Sequence, residues 1–93
     1  MKQSIFTIIT NEQIATNVWR MRLAGDTNEI SPGQFVNIRI EGLFLRRPIS
    51  VCDAQEGLLT IIYKVVGVGT ESMTHLLAGQ KVDMLTVLGT GYN

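Results

Sequence analysis

The sequence is poor in the residues that usually announce a specialised chemistry. Cys52 is its only cysteine, so the chain cannot build an internal disulfide, a cysteine-based zinc site or a protein-held iron–sulfur cluster. Cys52 is expected to be a small buried apolar residue. His75 is the only histidine, with no second His or Cys and no paired carboxylate at ligand spacing, and reads as a surface or half-buried helix residue. No Ser–His–Asp or two-carboxylate arrangement points to hydrolysis. Charge of either sign is not in excess, with eight Lys plus Arg against eight Asp plus Glu. A chain without net charge has no electrostatic footprint for nucleic acid or an acidic membrane surface. Aromatic residues are too few, at 6 %, to line a stacking platform for bases. No segment approaches the roughly 20 apolar residues of a membrane helix. After Met1-Lys2-Gln3-Ser4 the chain is broken by Thr7 and Thr10, which is not a signal-peptide core. A soluble, cytoplasmic protein is expected. Neutrality also gives little colloidal protection, so a homodimer or a partner subunit is expected.

What the chain does have is material for one small core. Its 93 residues are 45 % hydrophobic and 17 % charged, a composition that folds. At this length folding hides roughly 60 % of the surface of the extended chain, enough for a small barrel but not for a second domain. Short β-rich runs alternate with turn signals. Ser4 to Thr10 is rich in Ile, Phe and Thr. In Val18 to Leu23, Trp19, Met21 and Leu23 share one face and Arg20 and Arg22 the other, which assigns the apolar three to the core. Pro32-Gly33 is a turn. Phe35 to Ile40 places Val36, Ile38 and Ile40 on one side. Gly42 to Leu45 is a loop leading to Arg46-Arg47-Pro48-Ile49-Ser50-Val51, where Pro48 belongs at a strand start or an edge. Gln55-Glu56-Gly57 closes a hairpin into Leu58 to Val66. One helix is predicted over Thr70 to Leu77, with Thr70 as its cap, Met73, Leu76 and Leu77 as its apolar stripe, and Gly79 past its end. A last strand runs from Lys81 to Leu88. Six strands with a helix before the last point to a closed barrel capped by that helix.

Three short segments carry the candidate chemistry. In Arg47-Pro48-Ile49-Ser50, a guanidinium suited to bidentate phosphate contacts precedes a stiff proline, with a hydroxyl three residues on. The same residues also fit a solvated loop. In Gly67-Val68-Gly69-Thr70, glycines between a strand and a helix allow close backbone approach to an anion, or form an ordinary capped loop. The longer dinucleotide fingerprint is absent, since it needs a third glycine and a parallel βαβ unit. Glu71 in the first helical turn counts against a bound phosphate there. In Ile62-Tyr63-Lys64, Lys64 either neutralises a phosphate or is routine surface, while Tyr63 points to the opposite face.

Taken in this order, the three segments resemble the flavin domain of ferredoxin-reductase-type proteins. More narrowly, they are similar to the electron-transfer subunit of two-subunit dihydroorotate dehydrogenases. Pro32-Gly33-Gln34-Phe35 and Leu88-Gly89-Thr90-Gly91-Tyr92 fit the same pattern, so the resemblance runs from about Thr7 to Tyr92. It implies an all-β fold, a six-stranded antiparallel Greek-key barrel with one short capping helix, spanning residues 1–93 and binding FAD.

By that resemblance Arg47 would meet the flavin diphosphate, Pro48 and Ile49 would pack beside the isoalloxazine, and Ser50 would hydrogen-bond near its reactive nitrogen. Ile62, Tyr63 and Lys64 would line the ribityl and phosphate stretch, with Gly69 and Thr70 at the phosphates and adenine side. Many relatives carry a tyrosine where Ile49 stands. Thr86 lies near a glycine-proline turn common in the family. The family's NAD-binding and 2Fe–2S domains are expected to be absent from this chain. The implied partner is the catalytic subunit of dihydroorotate dehydrogenase, in pyrimidine synthesis. Two alternatives stand beside it. One is the small-subunit barrel of a sulfide-dehydrogenase- or transhydrogenase-like flavoprotein. The other is a barrel that has lost flavin and acts as an interaction module.

Overall fold

A computed structural model describes residues 2–28, 30–39 and 46–86 of the chain. Six strands appear in it: β1 Lys2–Ala15, β2 Val18–Ala24, β3 Phe35–Arg39, β4 Arg46–Gln55, β5 Leu58–Lys64 and β6 Lys81–Thr86. A single short helix among the described residues, α1 Val68–Met73, lies between β5 and β6. All pairings are antiparallel, and the strands close in the order β1-β2-β5-β4-β3-β6. This is the Greek-key barrel that the strand count and the resemblance imply. No helix among the described residues is long and apolar enough to cross a membrane.

Alternation builds the core. Phe6, Ile8, Met21, Leu23, Val36, Ile38, Leu59, Ile61 and Met84 are sealed inside, while Trp19 packs on the core's edge and stays partly exposed. Met73 of α1 joins the same cluster, so the helix closes one end of the barrel. That end, called upper below, also carries the β1–β2 turn at Thr16–Asn17. The lower end carries the β4–β5 hairpin, whose Glu56 and Gly57 both take positive φ, 47° and 87°. Two such residues in succession give the turn whose twist matches the flanking strands. Pro32–Gly33 is likewise a turn, with Gly33 at φ 90°.

The strand predicted over Leu58 to Val66 ends at Lys64, and two other predicted elements shift further. The strand expected over Ser4 to Thr10 runs on to Ala15, beyond a bulge at Ile9. The helix expected over Thr70 to Leu77 starts at Val68 and ends at Met73, and its cap is Gly67. Thr70 is instead the third helical residue, and its hydroxyl reaches back to the backbone before it. Beyond Met73 the chain tightens into three-residue turns, with Leu76 N–H donating to Met73 O at 3.2 Å. The predicted Ile40, Gly42–Leu45 and the segment after Thr86 lie outside the described residues.

Cys52 is a correction. It follows inward-facing Val51 and is the extra residue of a bulge between Val51↔Ile61 and Asp53↔Thr60, so its thiol is exposed rather than buried.

Gly25 marks the tightest packing at the lower end. A Cβ placed there would sit 2.5 Å from the ring of Phe6, which is fully buried and has nowhere to move. Gly25→Ala is expected to cost about 1–2 kcal/mol by overpacking, read as a lower urea midpoint with an unchanged slope. An unchanged midpoint would mean that the Phe6 ring can shift after all.

Candidate functional site

The geometry of interest arises because β4 and β5 share a ladder over only part of their lengths. Their pairing runs from Gln55↔Leu58 up to Val51↔Ile61. Above that point β4 continues to Arg46 paired with β3, and β5 continues to Lys64 paired with β2. The upper half of the barrel wall is therefore parted by a seam, with Arg46–Ser50 on one lip and Ile62–Lys64 on the other. The bulge at Cys52 sits directly below the point of parting.

Backbone polarity in the seam follows from the antiparallel rule that hydrogen-bonding residues alternate sides along a strand. Val51 N–H donates to Gln34 O at 2.8 Å, so Val51 and Ile49 turn their backbone groups toward β3. Pro48 and Ser50 must then turn theirs toward the seam. Val65 N–H donates to Asn17 O at 2.8 Å on the β2 side, so on β5 it is Ile62 and Lys64 that face the seam. The missing N–H of Pro48 thus falls where no ladder needs it, and the edge position expected for this proline is met inside a strand. Side chains sort the same way. Pro48, Ser50, Ile62 and Lys64 are exposed on the outer face, whereas Ile49 and Tyr63 turn into the barrel. Arg47 is paired with Ile38 through its backbone, and its side chain lies outside what the structure describes.

The loop after β5 is held in shape by Thr70. Its hydroxyl accepts from Val66 N–H at 2.9 Å and Gly67 N–H at 3.2 Å. The backbone of two residues of the turn is thereby locked by one side chain that is itself buried. Val66 and Val68 flank the loop with their side chains 68 % and 74 % exposed, an apolar rim beside the exposed backbone of Gly67. Glu71, the acidic residue that counts against a phosphate, is turned along the helix to His75, with Oε2 2.9 Å from the ring Nε2. Its charge is thus directed away from the loop.

Pro48, Ile49, Ser50, Ile62, Tyr63 and Lys64 lie on the two lips at the upper end, and Gly69 and Thr70 lie in the first turn of α1, after the loop that continues β5. The first functional residue that sequence reasoning missed is Asn11. Its Nδ2 donates to Met73 O at 2.8 Å and Leu76 O at 3.0 Å, and its Oδ1 accepts from Tyr63 Oη–H at 2.8 Å. The only local signal was a polar residue in a β-rich run. Among the described residues, no group of three His, Cys, Asp or Glu is placed to hold a metal ion.

No family model matches the chain. Curated relatives do. The chain is 44 % identical over its whole length to the dihydroorotate dehydrogenase B (NAD(+)) electron transfer subunit of Fusobacterium nucleatum, covering 39 % of that protein. It is 37 % identical to the subunit of the same name from Enterococcus faecalis, over 99 % of this chain and 37 % of the relative. This chain belongs to the family of the dihydroorotate dehydrogenase electron-transfer subunits. It spans about two fifths of the length of the relatives it matches. Among solved structures, an NADH-dependent reduced ferredoxin–NADP oxidoreductase studied for flavin-based electron bifurcation superposes with a TM-score of 0.75. Its identity to this chain is 31 %, and the match covers 83 % of this chain and 29 % of that one.

Proposed function

We propose that this barrel holds FAD as part of the electron-transfer subunit of a dihydroorotate dehydrogenase, on the path from dihydroorotate oxidation to NAD. What carries the reading is the seam: the family's motif residues stand on its two lips and in the first turn of α1. The residues present fit the group. Pro48 offers a rigid exposed edge, Ile49 an apolar wall just behind it, and Ser50 a hydroxyl and an N–H on the seam side. Lys64 adds an exposed cation on the opposite lip. Gly67 adds a backbone with open space at its missing Cβ.

FAD, when bound, supplies the redox chemistry itself. The chain's part is to bind and orient. Arg47 and Lys64 balance the diphosphate charge, Ser50 donates a hydrogen bond near the ring's reactive nitrogen, and Ile62 covers the ribityl stretch. Gly69 and Thr70 shape the backbone that meets the phosphates and the adenine side. Tyr63 contributes from inside the wall, through its hydroxyl. A cytoplasmic site of action and a catalytic subunit as partner go with this reading.

The test is an absorbance spectrum after addition of excess FAD and desalting. Retained flavin bands support the reading, and a colourless protein favours the barrel without flavin, an interaction module. Arg47→Ala is then expected to weaken FAD binding tenfold or more, since a charge-assisted hydrogen bond contributes about 1.5–3 kcal/mol. Unchanged affinity argues against the diphosphate contact. A second reading keeps the cofactor and changes the partner, and it is favoured by the 31 % identity to the ferredoxin–NADP oxidoreductase. Capture of a dihydroorotate-oxidising flavoprotein by the tagged chain separates the two. The expected homodimer has its own test in sedimentation, where a monomer at every concentration overturns it.

A further inference from the structure

We propose that Asn11 is a positioning residue for the flavin site, a single amide that fixes the loop and helix against the β5 lip. The inference rests on the flavin reading above and deepens it. Asn11 lies on β1, and among the described residues its side chain bonds to Tyr63, Met73 and Leu76 rather than to Pro48–Ser50 or Gly67–Thr70. Its effect must therefore pass through what it holds.

Each end of the amide holds a different part of the site. The Nδ2 group spends both hydrogens on carbonyls at the end of α1 and in the turn just beyond it, Met73 O at 2.8 Å and Leu76 O at 3.0 Å. Met73 O also accepts from Leu76 N–H in the turn that follows the helix, so the amide ties that turn as well as the helix end to β1. The Oδ1 atom accepts from Tyr63, the residue between Ile62 and Lys64 on the β5 lip. An amide with both hydrogens committed cannot rotate to donate elsewhere, so the Tyr63 contact also fixes which way round it sits.

The loop that links these two parts, Val65 to Gly67, is anchored by Val65 N–H on Asn17 at one end and by Thr70 at the other. With the helix end clamped, the loop has fixed ends and a fixed hydroxyl beneath it. A ligand then meets a backbone already in its binding shape, and less of its binding energy goes into ordering the site. Nothing in the three-segment motif predicts this. The contacts join residues 52, 62 and 65 positions apart.

The experiment measures FAD dissociation constants and urea midpoints for wild type, Asn11→Ala, and Gly25→Ala as a destabilised control at the opposite end. Asn11→Ala is expected to raise the FAD dissociation constant tenfold or more under conditions where the protein remains folded. Gly25→Ala is expected to lower the urea midpoint and leave the dissociation constant of the folded protein within twofold. Equal dissociation constants for Asn11→Ala and wild type overturn the proposal and assign Asn11 to stability alone. Equal losses of affinity in Asn11→Ala and Gly25→Ala overturn it too. Should Asn11→Ala fail to fold, Tyr63→Phe carries the test, because it removes the hydroxyl that orients the amide. A threefold or larger rise then supports the clamp, and no change overturns it. Wild type that takes up no FAD overturns the flavin reading itself, a result distinct from all of these.

Discussion

Replacing Met73 by alanine is expected to cost about 2–5 kcal/mol, the range for truncating a fully buried methionine. Met73 has no exposed surface and joins the barrel core from the helix side. A six-residue helix has no stability of its own, because nucleation is unfavourable and propagation has no room to repay it. The helix therefore stands only on what it buries, which is Met73 and Thr70, together with the clamp from Asn11. A domain of this length is expected to have about 5–14 kcal/mol in total. The loss is thus a large fraction of stability, and it falls on the element that shapes the candidate phosphate loop. Urea unfolding should show a clear drop in midpoint, and amide exchange of the loop and helix should rise further than that of β2. Val68→Ala, on the same helix with an exposed side chain, should stay within about 0.5 kcal/mol of wild type. A Met73→Ala loss under about 1 kcal/mol would mean that the helix is seated by something other than its buried methionine.

The fold was legible where a single rule governs a segment. Val18 to Leu23 alternates because one face meets the core and the other meets water, so Met21 and Leu23 could be placed without any partner in view. The barrel followed from counting such segments. Legibility failed at bulges. In β1, Phe6 and Ile8 face inward, and simple alternation would send Thr10 in and Asn11 out. The extra residue Ile9 reverses this, pairing Thr10 with outward Arg22 and Asn11 with inward Met21. An inward asparagine is costly unless it finds partners, and its partners come from β5 and α1, far along the chain. No local pattern carries that information.

The candidate site divides in the same way. Arg47 to Ser50, Ile62 to Lys64 and Gly67 to Thr70 are short local motifs, and each could be picked out by residue type. The parting of β4 from β5 that puts them on facing lips could not, since it depends on where a ladder stops. Pro48 was the one local hint, a residue without an N–H inside a strand. Thr70 shows a further limit. Threonine before an apolar stripe reads as a cap, but a hydroxyl three residues inside a helix can satisfy the same backbone from the other side. Only the path of Val66 and Gly67, bent back onto it, decides between the two.

The interior phenol of Tyr63 gives the last prediction, a stability that falls at high pH. Burial pushes its pKa up to about 12 from an ordinary value near 10.0. Below pH 10 the phenol is protonated in both the folded and unfolded chains, and its contribution to stability is fully present. Between about pH 10 and 12 the unfolded chain releases the proton while the folded chain keeps it. The unfolded state then binds fewer protons, so stability decreases as pH rises through this window. A gap of about two units corresponds to about 2–3 kcal/mol. The measurement is a difference between wild type and Tyr63→Phe, so that ionisations common to both proteins cancel. The variant loses the bond to Asn11, at a cost of about 0.5–1.5 kcal/mol near neutrality, but it has no phenol to ionise. Its urea midpoint should therefore decline less steeply above pH 10 and overtake wild type by about pH 12. Parallel pH profiles for the two proteins would mean that Tyr63 ionises as freely in the fold as in the open chain. That outcome would remove the sealed interior on which the Asn11–Tyr63 contact depends.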